Sequence, residues 1–66
     1  MIGRVATTLL HFAAVRAEEI CGPHRVQVRE AAAELDWQVV EADIDADQSA
    51  ARTYGVMNVP AVAVQG

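Results

Sequence analysis

The sequence predicts a single α/β domain with the element order β-α-β-α-β. Segments rich in β-branched and large apolar residues recur at 4–12, 37–44 and 61–64, as expected of strands in a sheet. Between them lie a stretch with helical periodicity, 22–35, and a shorter one with capping residues, 47–54. Connections long enough to hold helices favour helices packed on a sheet, with right-handed crossovers.

The first strand candidate ends in the apolar run Leu9-Leu10-His11-Phe12. A strand that is apolar on both faces is typical of the centre of a sheet. The residues that follow, 13–20, are compatible with a loop or with one short helical turn.

The first helix is predicted at 22–35. Pro23 suits its first position, because the missing N–H of proline costs nothing there. The predicted buried face consists of apolar residues at three- and four-residue spacing, namely Val28, Ala31, Ala32 and Leu35.

The second half of the chain has clear boundary signals. The acidic stretch 43–47 offers N-cap residues for a helix at 47–54, and Gly55 stands where a C-cap glycine belongs. Pro60 precedes the third strand candidate.

Composition excludes several classes of protein. The net charge of −4, with five arginines and no lysine, argues against binding to nucleic acid. No apolar run reaches the roughly 20 residues of a membrane helix, so no membrane contact is expected. One unpaired cysteine and no export signal predict a cytoplasmic protein.

A chain of 66 residues with thirteen alanines should have a thin core. Domains of this size often need a disulfide, a metal ion or association. A single cysteine cannot form an internal disulfide, and no four-ligand metal set or cofactor motif is present in the sequence. Pairing with a second copy, or with the rest of a larger protein, is therefore expected.

Three separated features resemble the central part of the thioredoxin fold. An apolar strand is followed by Cys21-Gly22-Pro23, a second strand runs into Asp43-Ile44-Asp45, and the segment 54–60 resembles the one with the family's cis-proline. The match covers the chain from about residue 5 to its end. It implies a three-stranded mixed sheet with the first strand central, a parallel and an antiparallel neighbour, and no terminal family elements.

The resemblance also implies a site at the start of the first helix. The groove would be formed by Gly22 and Pro23 together with Val59 and a cis Pro60. Cys21 at the helix N-terminus would be stabilised as a thiolate, the reactive form.

The chain departs from the family at the site itself. His24 replaces the family's second active-site cysteine and would tune Cys21. His11 stands where the family has a buried acid, which suggests a role in proton transfer. Ile20 replaces a tryptophan, and the segment before Cys21 is longer than usual.

These departures favour a single-cysteine reaction. Without a second cysteine, an exchange would stop at a mixed disulfide until a protein thiol or a small thiol such as glutathione resolved it. The sequence therefore predicts a monothiol disulfide oxidoreductase that uses Cys21, His24 and His11 and needs no cofactor.

Other interpretations remain open at this stage. The chain could be a redox-inactive thioredoxin-like module that docks an extended peptide or forms a homodimer through an exposed sheet edge. It could also be a fragment or shortened relic. Cys21 would then be a small core residue, His24 a surface residue and His11 a satisfied core histidine. A three-ligand metal site of these residues is the least favoured alternative.

Overall fold

The order of strands and helices agrees with the one predicted. The structure, a computed structural model, describes residues 7–65. Along the chain these form β1 (Thr8–Ala13), a 3₁₀ turn (Val15–Ala17), α1 (Glu18–Leu35), β2 (Gln38–Asp43), α2 (Ser49–Thr53) and β3 (Ala61–Gln65). The first part of the predicted opening strand, 4–6, lies outside the described residues.

The three strands form one mixed sheet in the order β2-β1-β3. β1 pairs parallel with β2 and antiparallel with β3, so the prediction of a central first strand is confirmed. Its central position buries both of its faces, with Leu9 and His11 on one face and Phe12 on the other.

The register determines which side chains share a face. His11 lies opposite Glu41 on β2 and Val62 on β3, and Leu9 lies in the same way between Val39 and Val64. Opposed residues project to the same side of a sheet. These side chains therefore share one face, which we call the α1 face because His11 meets α1 there.

α1 begins at Glu18, four residues before the predicted start at 22, so that prediction was wrong. Glu18 and Glu19 occupy the first turn, where negative charge interacts favourably with the helix dipole. Pro23 is consequently inside the helix rather than at its first position. Pro23 cannot donate to the carbonyl of Glu19, and its ring crowds that carbonyl; because Glu19 is exposed, water can take the place of the missing donor.

The buried side of α1 is narrower than predicted. Cys21, Val28 and Ala32 are buried, whereas Ala31 and Leu35 are exposed. The helix packs mainly on β1 and β2.

The predicted end of α1 at residue 35 and the predicted position of Gly55 after the second helix are confirmed, although α2 ends at Thr53 rather than at 54. α1 ends at Leu35, followed by Asp36 in the left-handed region with φ of 58°. Gly55 follows the short α2 with φ of 67°, where a side chain would be strained.

α2 is shorter than the predicted 47–54. The Asp47 carboxylate accepts hydrogen bonds from the hydroxyl and the backbone N–H of Ser49, at 2.6 and 3.0 Å. These two bonds lower the pKa of Asp47 and form a turn just before α2. The N-cap is Gln48, which makes no side-chain capping bond, so the predicted N-cap within 43–47 was wrong. At the other end, the ring of Tyr54 packs on Phe12, with ring centroids 6.1 Å apart.

Within residues 7–65, no helix is long and apolar enough to cross a lipid bilayer.

Candidate functional site

Two histidines from different elements meet between β1 and α1. His11 projects from the middle of β1 onto the α1 face, and His24 extends from α1 toward it. The His11 Nε2 and the His24 Nδ1 are 2.9 Å apart, within hydrogen-bond distance. The rings are nearly parallel, at 17°, with centroids 5.0 Å apart.

A carboxylate from β2 extends this pair into a chain of three groups. The parallel register sets Glu41 beside His11, and its Oε1 is 3.2 Å from the His11 Nδ1. An ionised carboxylate can only accept, so the His11 Nδ1 donates. His11 is completely buried, and both of its ring nitrogens have partners. We call these three residues the Glu41–His11–His24 chain.

Arg25 anchors the carboxylate end of this chain. Its Nε donates to the Glu41 Oε1 at 2.6 Å, and its terminal nitrogen donates to the Glu18 Oε1 at 2.6 Å. The guanidinium therefore joins the first turns of α1 to β2. Its pKa is raised by these hydrogen bonds, first that with Glu18 and then that with Glu41, so the charge is permanent.

The pKa of Glu41 reflects this environment. Partial burial would raise it, but the hydrogen bonds from Arg25 and His11, together with their charges, outweigh burial and lower the pKa below its usual range. The hydrogen bond from Arg25 also lowers the pKa of Glu18. Both carboxylates are therefore ionised at neutral pH.

The chemistry available to the Glu41–His11–His24 chain is proton sharing. Only one proton fits between the His11 Nε2 and the His24 Nδ1, so one ring donates and the other accepts. A change of protonation on either ring must reverse or remove this bond. His24 is half-buried and His11 is completely buried, so His24 is the member of the pair nearer to solvent.

Cys21 lies elsewhere in the helix than the sequence predicted. Because α1 begins at Glu18, Cys21 is the fourth helical residue and not the residue at the helix mouth. Its side chain is completely buried and is part of the small core. The free N–H groups of the first turn therefore belong to residues before Cys21.

The predicted groove residues lie at one end of the sheet. The Val59–Pro60 bond is cis, as the resemblance implies. Ala61 pairs with Phe12 near the end of β1, so Pro60 lies at the same end as the turn into α1. Val59 and Pro60 are half-buried.

The two groove residues on α1 are also near solvent. Gly22 is half-buried and Pro23 is exposed, whereas the thiol of Cys21 beside them is turned into the core. The structure thus joins His11 to His24, and it leaves Cys21 without access to solvent.

Sequence reasoning missed Glu41, Arg25 and Glu18. The signal for Glu41 was available, since a carboxylate in the middle of an apolar strand needs a partner. What was missing was the register, because only the pairing of residue 8 with residue 38 brings Glu41 to His11. Arg25 and Glu18 could be assigned only once the true start of α1 was known.

In the range 7–65, no three His, Cys, Asp or Glu side chains are placed to hold a metal ion. An open cleft beside Arg25 and Glu41 measures about 70 Å³, and another between Arg16 and Val56 about 190 Å³. Both are smaller than the roughly 300–1,000 Å³ of most ligand sites.

The chain matches no protein-family model, no curated protein and no solved structure. A proposal about its function therefore rests on its own residues and geometry.

Proposed function

We propose that the chain is a thioredoxin-like binding module that takes up an extended peptide segment by strand addition and does not exchange disulfides. The observation that carries this proposal is the complete burial of Cys21, the only thiol in the chain. A disulfide must reach the sulfur atom in line for exchange to occur.

The sheet supports the binding part of the proposal. Among the described residues, β2 and β3 each have a strand partner on one side only. The outer edge of such a strand presents unpaired N–H and C=O groups, which an added strand can satisfy. Affinity then comes from main-chain hydrogen bonds, and specificity from alternate side chains.

The Glu41–His11–His24 chain has a supporting role in this proposal. It joins β1, β2 and α1 by hydrogen bonds inside a core that contains few large side chains. Removing a partner of a buried polar group costs about 1–3 kcal/mol. The three residues therefore hold α1 in place while the strand edges remain open.

Monothiol disulfide exchange is a second candidate, and a specific observation favours it. Cys21 lies three residues before His24 on α1, so the two side chains project from neighbouring positions of one helix face. In this reaction the Cys21 thiolate attacks a disulfide, one sulfur leaves as a thiolate, and a mixed disulfide forms. An external thiol then attacks the mixed disulfide and releases the Cys21 thiolate.

Thiol accessibility separates the two candidates. The rate of Cys21 alkylation by iodoacetamide is measured in the native state and in guanidinium chloride at the same pH. We expect the native rate to be reduced in proportion to the population of open molecules. Incubation with oxidised glutathione should leave the native mass unchanged.

A native rate equal to the unfolded rate, with a mixed glutathione disulfide in the mass spectrum, would contradict the binding-module proposal and support exchange. The matched control is Cys21→Ala, which should show neither modification.

Strand addition is tested by peptide selection. Peptides selected from a random display library on the immobilised chain are titrated into the ¹⁵N-labelled protein. We expect the amides of β2 or β3 to gain protection from hydrogen exchange. Protection confined to the helices would show a different mode of binding and overturn the proposal.

A further inference from the structure

We propose that β3 is the contact strand of a symmetric homodimer, in which a second copy pairs antiparallel along its outer edge. This inference rests on the strand-addition function proposed above and names the partner. In the range 7–65, nothing pairs with that edge.

Charge distinguishes β3 from the other open strand. β3 reads Ala61-Val62-Ala63-Val64-Gln65 and has no ionisable side chain. β2 contains Glu41 and Asp43, and the net charge of the chain is −4. Two copies that met through β2 would bring carboxylates together, whereas two β3 strands meet without repulsion.

The pattern of β3 is also self-complementary. An antiparallel pair centred on Ala63 sets Val62 opposite Val64 of the second copy, and Val64 opposite Val62. Cross-strand pairs of β-branched residues stabilise such a ladder. The same operation joins the two three-stranded sheets into one of six strands, with β3 and its copy at the centre.

Exposure of the valines supports this arrangement. Val62 and Val64 lie on the α1 face, opposite the buried His11 and Leu9, yet they are 48% and 56% exposed. α1 packs mainly on β1 and β2, and each of these two valines keeps about half of its surface exposed. In the dimer, the four valines would form an apolar floor between the two α1 helices.

The size of the contact predicts a weak dimer. Stable interfaces bury about 800 Å² per partner, and a five-residue strand with a few neighbouring side chains buries less. We therefore expect reversible association in the micromolar range or weaker, with a monomer at low concentration.

Substitution of β3 valines by charged residues tests the proposal. In an acidic variant Val62 and Val64 are both replaced by Glu, and in a basic variant both are replaced by Lys. Sedimentation equilibrium should show the weight-average mass of the unmodified chain doubling as concentration rises. Each variant alone should lose this doubling, and an equimolar mixture should recover it.

The matched control is Val40→Lys on β2, a position with 46% exposure, which should leave association unchanged. Dimers that persist in both β3 variants, or that Val40→Lys disrupts, would overturn the assignment. A strictly monomeric unmodified chain would also overturn it.

Hydrogen exchange of the unmodified chain gives a readout that needs no variant. The β3 amides should become more protected as concentration rises, whereas the β2 edge should not change. Protection of β3 that is independent of concentration would show that residues of the same chain occupy the edge, and would contradict the dimer. Strand addition of a foreign peptide at β2 could still be found, so failure here is distinct from failure of the proposed function.

Discussion

His11 and His24 share a single hydrogen-bond proton across 2.9 Å between the centre of the sheet and α1. The His11 ring is completely buried, so water cannot replace His24 as its partner. This bond therefore joins α1 to the central strand of the sheet.

Removal of the His24 ring should destabilise the fold. His24→Leu leaves the His11 Nε2 without a partner inside the protein, and we expect the free energy of unfolding to fall by about 1–3 kcal/mol. Urea denaturation at pH 7, followed by far-UV circular dichroism, measures the change.

A double-mutant cycle isolates the bond between the two rings. In a His11→Leu background, His24→Leu should cost much less, because the buried nitrogen is already gone. Additive losses from the two substitutions would show that the rings do not interact, and would contradict the hydrogen bond.

Acid should weaken the fold through Glu41. The pKa of its carboxyl is lower in the folded chain than its ordinary value of 4.5, so the stabilising contribution is present above 4.5 and is lost as pH falls through the lowered folded pKa. Glu41→Gln should cost about 1–2 kcal/mol at pH 7 by weakening bonds to charged groups.

The same substitution should also flatten the dependence of stability on pH below 4.5. Urea midpoints between pH 2 and 7 test this, with Glu34→Gln on the exposed side of α1 as the control. If the plots of stability against pH for the wild type and for Glu41→Gln remained parallel from pH 2 to 7, the role given to Glu41 in acid sensitivity would be contradicted.

Much of the fold followed from local patterns in the sequence. Three apolar segments predicted the strands. The helical periodicity of 22–35, the acidic stretch 43–47 and Gly55 predicted two helices between them. The start of α1 could not be predicted in this way, because proline is favoured at the first position of a helix and Pro23 therefore indicated a start at 22, whereas α1 contains Pro23 in its interior.

That error misplaced Cys21. A helix that began at residue 22 would place Cys21 just before its first residue. Because α1 begins at Glu18, Cys21 lies at the end of the first helical turn, and its side chain is buried. His11 and His24 were candidates because the resemblance places them where the family has a buried acid and its second active-site cysteine. Their partner Glu41 depends on strand register, a long-range property that composition and periodicity do not determine.

Substitution by alanine should change stability in opposite directions at Gly22 and at Gly55, because their backbone conformations differ. Gly22 is helical, and a Cβ there meets only the Glu18 side chain at 3.8 Å, so Gly22→Ala should stabilise by about 0.5–1 kcal/mol. Gly55 has φ of 67°, so Gly55→Ala should destabilise by about 1–2 kcal/mol although the space is open.

Thermal denaturation of the two variants under one set of conditions compares them directly. A stabilised Gly55→Ala would show that the turn after α2 is not left-handed. Gly55→Asn should lie between the wild type and Gly55→Ala, since asparagine tolerates this conformation.

Arg25 should control the ionisation of Glu41. Its guanidinium is 2.6 Å from the Glu41 carboxylate and binds Glu18 with its other nitrogens, so Arg25→Gln removes a positive charge and two ion pairs. The pKa of Glu41 should then rise. Burial still opposes ionisation of the carboxyl, and of the two groups that lower its pKa, Arg25 and His11, only His11 remains. Carbon-detected NMR of the side-chain carboxyl follows this titration, with Arg29→Gln on the exposed side of α1 as the matched control. An unchanged Glu41 titration in Arg25→Gln would mean that His11 alone holds the carboxylate, and the role of Arg25 as its anchor would have to be abandoned.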